Sequence, residues 1–420
     1  MSATETTCDL ILRDARVPGR DAPVDVAVAG GSIRAIEPRL AAPAREEVRA
    51  DGRVAVPGFV DLHMHLDKGL TLDFRPNASG TLDEARRIFR DYKATATVED
   101  IAARARRLVR MALRHGTTAL RTHADVDRGW GLRSVEALLG VREAFRGVVD
   151  IQVVAFPTGY MDVLDDEGLG TVRRALEMGA DLVGGLPTLS KNPPAHCDRL
   201  VALASEFDRD VDMHVDESGD PNDLAILELC HATKRHHWEG RVTAGHLCSL
   251  EAVEPAKANE IIAQIADAGI TVVSLPSCNL YLQGRQDATC IRRGVTRVRA
   301  MLDRGVNVCY ASDNVRDAFN PFGNADMLEV GLILAHAAHM GDLEGLRQVV
   351  AMGTVNPARA FYRGQTQGVA VGAAADLVLL DETDLDQVVV TQPERLKVYK
   401  AGRLVAETER RSALPGAPTE

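Results

Sequence analysis

Two histidines separated by one residue stand at the end of a predicted strand. His63 and His65 follow the apolar run Val54-Ala-Val-Pro-Gly-Phe-Val-Asp-Leu62, which is typical of a buried strand. Side chains alternate along a strand, so both imidazoles are expected on one side, where they could share a metal ion. The alternative is two hydrogen-bonded histidines at a strand end. Residues elsewhere in the chain distinguish these two interpretations.

Further histidines follow other predicted strands. Of the twelve histidines in the chain, five fall at predicted strand ends, namely His63, His65, His123, His214 and His246, and Asp313 ends the last strand. Three neutral imidazoles and one carboxylate suit a borderline ion such as Zn²⁺ or Fe²⁺. The sequence therefore predicts a metal site made by His63, His65, His214 and Asp313.

Such an ion would turn water into a nucleophile, because it lowers the pKa of bound water towards ~7. Glu217 lies three residues after His214 and could pass the water's proton to a leaving group. His246 could polarise the hydroxide or orient the substrate, and Asp313 is expected to act in catalysis as well as in binding. Taken singly, Glu217 could be a surface carboxylate, His246 a core histidine and Asp313 a helix cap. That all three have such ordinary roles is improbable.

Three neighbouring polar residues have less certain roles. His123 is expected to contact and orient a metal ligand without binding the metal itself. Asp67 and Lys68 could pair with each other or face the pocket. A second metal in such sites usually needs a bridging lysine at the end of strand four. That strand, near 181–186, has none, and Lys191 comes later, so a single metal is predicted.

Strand-like and helical segments alternate from residue 54 onward. Strands are predicted near 54–62, 117–124, 150–156, 181–186, 211–216, 241–246, 270–276 and 306–312. A helix over 98–114 is expected to begin at a capping box, Thr97-x-x-Asp100, and to end at Gly116. Eight such units predict an α/β fold, a (β/α)8 TIM-like barrel, with a doubly wound sheet as the competitor. His336 and His339 fall in a helical pattern and are expected to pack.

Both chain ends alternate like short antiparallel strands with glycine turns. They are expected to form one small β-sandwich. The predicted divisions are 1–57 and 365–408 for the sandwich, 58–364 for the metal-dependent barrel and 409–420 for a flexible tail.

Composition excludes several classes of partner. Lys and Arg number 49 and Asp and Glu 60, a net charge of −11, and aromatic residues are 4%, which argues against nucleic acid and anionic membranes. No apolar run approaches the ~20 residues of a membrane span, and no signal peptide is visible. The seven cysteines are scattered, which suits reduced thiols. A cytoplasmic protein and a homo-oligomer are expected.

Several motifs together resemble the amidohydrolase superfamily, and within it the cytosine deaminase group. They are Pro57-Gly-Phe-Val-Asp-Leu-His-Met-His-Leu-Asp67, Ser79-Gly-Thr-Leu82, Arg121-Thr-His-Ala-Asp-Val-Asp127, Asp150-Ile-Gln-Val-Val-Ala-Phe-Pro157, His214-Val-Asp-Glu217, Leu282-Gln-Gly-Arg285, Arg292-Arg-Gly-Val-Thr-Arg-Val298 and Asn307-Val-Cys309. The resemblance implies the same four metal ligands, and Glu217 with His246 as the catalytic pair.

Two positions depart from that group. Where cytosine deaminases carry a glutamine that bonds the pyrimidine edge, this chain has Thr158, and where they carry a second aspartate it has Asn314. The stretch 311–327 is more similar to the N-isopropylammelide amidohydrolase branch. Thr158, Asn314, Leu82 and Phe319 are the predicted substrate-binding residues. A changed pocket alters substrate preference, so a ring other than cytosine is expected.

The leading hypothesis is hydrolytic deamination of an aminated N-heterocycle, a pyrimidine, purine or triazine amine, by metal hydroxide with Glu217 as proton shuttle. The alternative is hydrolysis of a cyclic amide or of an alkylamino-triazine C–N bond in the same site. A catalytically dead barrel kept as a scaffold is the third hypothesis. It should have lost ligands, and this chain retains them all.

Overall fold

The computed structural model describes residues 7–413 and 415 of the 420-residue chain. The strands are β1 (Cys8–Ala15), β2 (Val24–Ala29), β3 (Ser32–Glu37), β4 (Ala44–Arg49), β5 (Ala55–Pro57), β6 (Phe59–Met64), β7 (Thr117–Val126), β8 (Asp150–Pro157), β9 (Leu182–Gly185), β10 (Asp210–Val215), β11 (Val242–His246), β12 (Thr271–Ser274), β13 (Val308–Tyr310), β14 (Leu377–Leu380), β15 (Arg395–Lys400) and β16 (Arg403–Glu407). The helices are α1 (Leu82–Lys93), α2 (Val98–Arg114), α3 (Arg133–Ala144), α4 (Asp166–Met178), α5 (Pro193–Glu206), α6 (Ala225–Arg235), α7 (Ser249–Ala252), α8 (Pro255–Asp267), α9 (Pro276–Leu282), α10 (Val298–Asp303), α11 (Met327–Ala337), α12 (Leu343–Gly353), α13 (Val355–Phe361) and α14 (Val388–Thr391). The predicted tail over 409–420 lies partly outside the described residues.

Strands β6 to β13 form one eight-stranded sheet in chain order, with every neighbouring pair parallel. The first and last strands meet at their carboxyl ends. The Asp313 amide donates to the His63 carbonyl at 2.8 Å, and the His65 amide donates to the Asp313 carbonyl at 3.4 Å. The predicted (β/α)8 barrel is confirmed, and the residues that close it are those of the predicted metal site.

Helix α2 begins and ends where the sequence predicts. The Thr97 hydroxyl accepts a hydrogen bond from the Asp100 amide at 3.2 Å, and Gly116 has a φ of +89°, which a glycine adopts at low cost. Only half of the capping box forms, because the Asp100 carboxylate bonds Arg104 and Tyr92 instead. Among the described residues, no helix is long and apolar enough to cross a membrane.

A second unit is built from both ends of the chain. One sheet has the order β3-β2-β1-β4 and the other the order β16-β15-β14-β5. Leu10, Val26 and Ile33 of the first sheet share an apolar core with Leu377 and Tyr399 of the second. The small β-sandwich is therefore confirmed, although β1 and β4 are parallel rather than antiparallel.

The packing role expected for two histidines is wrong. His336 lies near the end of α11 and His339 follows that helix, and both are exposed. The His336 ring bonds the Leu332 carbonyl of its own helix at 2.8 Å. His336 lies on the solvent face of α11, and His339 is exposed because the helix ends at Ala337, before it.

Candidate active site

Four buried side chains converge at the carboxyl end of the barrel. The Nε2 atom of His214 lies 3.2 Å from Nε2 of His63 and 3.1 Å from Nε2 of His65. The Asp313 carboxylate is 3.3 Å from Nε2 of His65 and 3.7 Å from Nε2 of His63. The cluster brings together the four residues predicted as ligands.

The local backbone explains this convergence. His63 is the second-last residue of β6 and His214 the second-last of β10, so barrel curvature brings these strand ends together. Asp313 follows β13 with a φ of +58°, and His246 ends β11 with a φ of +75°. Left-handed backbone is uncommon for residues other than glycine and is frequent at functional sites. Here this conformation turns the backbone at Asp313 and at His246, where each segment reaches the barrel mouth.

The chemistry of the cluster fits a divalent cation. Burial, together with the neighbouring His123, holds the pKa of His63 well below its usual value, so its imidazole is neutral. Burial alone would raise the pKa of Asp313, but the neighbouring imidazoles of His65 and His246 bring that pKa to about 2. Neither Asp313 carboxylate oxygen has a hydrogen-bond partner among the described residues, and a buried carboxylate without one is costly.

Two further groups of potential ligands overlap this cluster. They are His63, His123 and Asp212, and His65, Asp67 and Asp125. Their carboxylates already pair with cations, since Arg121 lies 2.7 Å from Asp212 and Lys68 lies 2.6 Å from Asp125. Among the described residues, the first cluster is therefore the one whose carboxylate, Asp313, has no lysine or arginine partner.

The structure defines the contacts of His123, Asp67 and Lys68, whose roles the sequence left open. The His123 ring packs against that of His63 with centroids 4.1 Å apart, and its Nε2 contacts Asp212 at 3.2 Å. Lys68 lies 3.9 Å from Asp67 but 2.6 Å from Asp125, so its main partner is not its neighbour in sequence. Asp67 instead accepts from the Asp125 amide and the Ser134 hydroxyl, each at 3.0 Å.

One contact would have to change on metal binding. Lys68 lies 3.0 Å from Nδ1 of His65. Burial lowers the pKa of Lys68, but the charges of Asp125 and Asp67 outweigh that effect and raise it overall, so the ammonium donates to Nδ1. If His65 held a metal ion with the ring nitrogen that faces His214, its imidazole proton would lie on Nδ1, and Lys68 could no longer donate to that atom.

Glu217 and His246 lie beside the cluster. Glu217 is in the turn after β10, and its carboxylate is 3.9 Å from Nδ1 of His246. The Asn279 side-chain amide, which is fully buried, is 3.2 Å from the same nitrogen. An amide donating to Nδ1 places the imidazole proton on Nε2, which has no partner among the described residues.

A cavity of about 260 Å³ opens over the cluster. His65, His214, Asp313, Glu217 and His246 line it, together with three of the four predicted substrate-binding residues, Thr158, Asn314 and Phe319. Leu82 lines instead an outer cavity of about 700 Å³, which shares Arg86, Leu186, Leu189 and Glu217 with the inner one. Its contact with substrate stays a prediction.

Aromatic rings make two sides of the inner cavity. Phe156 stacks on His214 with centroids 4.2 Å apart, and Phe89 stacks on Phe319 at 5.4 Å with an interplanar angle of 13°. The amide of Asn314 donates to Asp317 at 2.6 Å. The lining therefore combines flat apolar faces with a few directed polar groups, as expected for a planar ring.

Sequence reasoning assigned no role to several residues in or beside this cavity. His123 and Asp125 lie on β7 and Asp127 directly follows it with the same alternation, so strand periodicity could have placed all three on one face. Asn279 precedes the quoted Leu282-Gln-Gly motif on α9 and carries no signal of its own. Lys93, the last residue of α1, also gives none, because periodicity does not specify where a helix crosses the barrel mouth.

Known proteins share this architecture. Residues 73–406 match the amidohydrolase family. N-isopropylammelide isopropyl amidohydrolase of Pseudomonas sp. strain ADP is 32% identical, covering 96% of this chain and 98% of its own. Pterin deaminase of Rhizobium rhizogenes is 36% identical, with 84% and 81% covered. The structure of 5-methylcytosine deaminase from Klebsiella pneumoniae liganded with 5-fluorocytosine has a TM-score of 0.90 and 31% identity, covering 96% and 99%.

The family match extends over most of the chain and includes the strands that carry His123, His214 and His246, as well as Asp313 after β13. Members of this superfamily use a divalent metal and hydrolyse C–N bonds other than peptide bonds. The histidine and aspartate cluster at the barrel mouth agrees with that chemistry. This chain belongs to the amidohydrolase family.

Proposed function

We propose that this protein is a metal-dependent hydrolytic deaminase of an aminated N-heterocycle. The observation that carries the proposal is the position of Glu217, a carboxylate lining the same cavity as the ligand cluster and 3.9 Å from His246. The relatives support the substrate class, because two of the three described above are named as deaminases of N-heterocycles.

His63, His65, His214 and Asp313 would hold one divalent transition metal ion, Zn²⁺ or Fe²⁺. When bound, the ion would supply Lewis acidity that makes water a nucleophile near neutral pH. A single ion is favoured because the neighbouring carboxylates are paired with Lys68 and Arg121. Lys191 is exposed and unsuited to bridge two ions.

Two side chains would move or direct protons. Glu217 takes the proton from the attacking water and delivers it to the exocyclic amine, so that ammonia leaves as a neutral group. His246, whose Nδ1 accepts from Asn279, presents Nε2–H and donates to the oxygen on which charge develops. Stacking against Phe156 and Phe319 would hold the ring flat during these steps.

A second candidate is removal of an alkylamine from a triazine, or opening of a cyclic amide, in the same site. The 32% identical relative named N-isopropylammelide isopropyl amidohydrolase favours it. The chemistry differs only in the group that leaves, so product identity separates the two candidates.

The test is an ammonia-release screen over aminopyrimidines, aminopurines, pterins and aminotriazines, with protein reconstituted separately with Zn²⁺ and with Fe²⁺. Alkylamine release is assayed in parallel. Ammonia from at least one heterocycle, with about one metal per chain by elemental analysis, is expected. Full activity in metal-free protein, or alkylamine as the only product, would contradict the proposal.

A further inference from the structure

One wall of the inner cavity carries a buried charged network. Lys93 contacts the carboxylates of Asp127 and, at 3.1 Å, Asp125. The Thr158 hydroxyl donates to Asp127 at 2.8 Å. Lys93 is 3% exposed and Asp127 is 1% exposed, yet Lys93 and Thr158 both line the cavity.

We propose that Lys93 and Thr158 form a donor and acceptor pair that binds the lactam edge of the substrate, so that the preferred heterocycle carries a ring N–H beside a carbonyl. The inference rests on the proposed function and narrows its substrate class. It follows from counting the donor and acceptor positions on Lys93 and Thr158 that remain available to a substrate.

Lys93 retains one donor. An ammonium has three N–H bonds; among the described residues Asp127 accepts one of them, and Asp125, at 3.1 Å, is close enough to engage a second. The rings of Tyr160 and Trp130 lie 5.6 and 5.9 Å from Nζ, so the remaining directions around the ammonium are largely closed. The third N–H is left for an acceptor in the cavity, such as a carbonyl oxygen.

Thr158 retains only acceptor capacity. Its single O–H is donated to Asp127, and the Tyr160 amide approaches the hydroxyl oxygen at 3.4 Å. A hydroxyl oxygen accepts up to two hydrogen bonds, so at least one lone pair remains for the cavity. Its natural partner is a ring N–H.

Asp127 holds the two groups together. One carboxylate oxygen accepts from the backbone amides of Gly129 at 2.8 Å and Trp130 at 2.9 Å. The other oxygen accepts from both Lys93 and Thr158. Because the two groups share one oxygen, their separation suits the adjacent oxygen and nitrogen of a lactam.

The charge of the wall favours a neutral edge over an anionic one. Two ammonium groups, Lys68 and Lys93, face the carboxylates of Asp125, Asp127 and Asp67, which leaves the cluster with one negative charge. Arg86 also lines the cavity but pairs with the exposed Asp83 at 3.7 Å. A carboxylate on the substrate would meet this negative wall, whereas a lactam would not.

The test compares heterocycles that differ only at this edge: isocytosine with 2-aminopyrimidine, guanine with 2-aminopurine, and pterin with 2-aminopteridine. Loaded wild-type protein is expected to prefer the lactam member in kcat/KM. Thr158→Val, which keeps the shape but lacks the acceptor, should reduce that preference about ten- to hundredfold. Thr158→Ser retains the hydroxyl and should retain the preference.

Lys93 is tested as Lys93→Met combined with Asp127→Asn, so that no lone carboxylate is left buried. The double variant should also lose the preference, mainly through KM. If it fails to fold, Thr158→Val alone decides. Equal loss on both members of a pair, or a wild type that prefers the members without a lactam, would overturn the inference.

Failure of the proposed function has a different signature. Wild-type protein would then release ammonia from no member of any pair. In that case isothermal titration calorimetry with the same pairs, on wild type and Thr158→Val, still measures recognition of the edge. Binding of a lactam that Thr158→Val weakens supports the inference, and equal or absent binding of both members of every pair overturns it.

Discussion

Glu217 differs from the other carboxylates around the inner cavity. Asp125, Asp127 and Asp313 are each about 1% exposed and lie against cations or imidazoles, whereas Glu217 has a side chain that is 12% exposed and lies 3.9 Å from Nδ1 of His246. A proton carrier must move between two oxygen or nitrogen atoms, so a carboxylate held this loosely suits the task.

Glu217→Gln tests this role. Glutamine keeps the size and the hydrogen-bonding end of the side chain but cannot carry a proton. We expect metal content close to that of wild type, with kcat lowered by roughly two to four orders of magnitude. The measurements are steady-state kinetics and elemental analysis. Lost metal would make Glu217 a ligand, and retained activity would remove it from the mechanism.

We expect the preference between rings to depend on Thr158 and Asn314. Thr158→Gln with Asn314→Asp is expected to move preference towards cytosine, measured as the ratio of kcat/KM for cytosine to that for the best ring. Asn314 donates to Asp317 at 2.6 Å, so an aspartate there would face a like charge. Adding Asp317→Asn is the matched variant that removes this repulsion.

A wild type that already prefers cytosine over the whole panel would contradict the pocket argument. So would a double variant whose preference does not change although it binds metal normally.

At the scale of elements, strand periodicity predicted most of the machinery. Five of the eight predicted strands ended in histidine or aspartate, and the parallel barrel fold gathers such ends on one rim, which placed His63, His214 and Asp313 together. Helices carry less information of this kind. The apolar face of α1 follows from its period, but the fact that its last residue, Lys93, reaches the cavity depends on the 66–81 connection, whose path no local pattern specifies.

Backbone turns at the barrel mouth were equally inaccessible from the sequence. The left-handed conformations of Asp313 and His246 occur at residues that rarely adopt them, so propensity alone would have assigned them ordinary extended backbone. The tertiary contacts of the closing barrel, chiefly the hydrogen bonds between Asp313 and the end of β6, impose these turns.

The barrel interior offers a prediction about stability. Arg121 on β7 donates to Asp212 on β10 at 2.7 Å and to Thr243 on β11 at 3.1 Å, with all three side chains buried. Arg121→Met should leave the buried charge of Asp212 without a cationic partner, with only the His123 ring against it, and lower the free energy of unfolding by about 3–5 kcal/mol. Urea denaturation followed by circular dichroism measures the loss.

The matched variant is Arg121→Met with Asp212→Leu, which removes both charges and should recover most of the lost stability. If the single and double variants are equally unstable, the contribution of Arg121 comes from its packing and its bond to Thr243 rather than from the ion pair.

At the scale of the whole molecule, the predicted ligands join parts that are distant in sequence. His63 ends the first barrel strand, His214 lies on the fifth, and Asp313 follows the eighth. A bound ion would therefore connect the first and eighth strands, where the barrel closes, with the fifth strand on the opposite side. Metal binding and stability of the whole fold are then coupled, because the four ligands come together only in the folded chain.

Removal of the metal by a chelator should accordingly lower Tm. Free metal at about a thousand times its Kd stabilises a protein by about 4 kcal/mol, which corresponds to about 5 °C for a chain of this length. Differential scanning calorimetry of loaded and chelator-treated protein measures the shift. His63→Asn should abolish it, since the variant lacks a ligand, whereas His236→Asn, at a half-buried histidine paired with Asp198, should preserve it. An equal shift in the His63 variant would show that the chelator acts away from the barrel mouth.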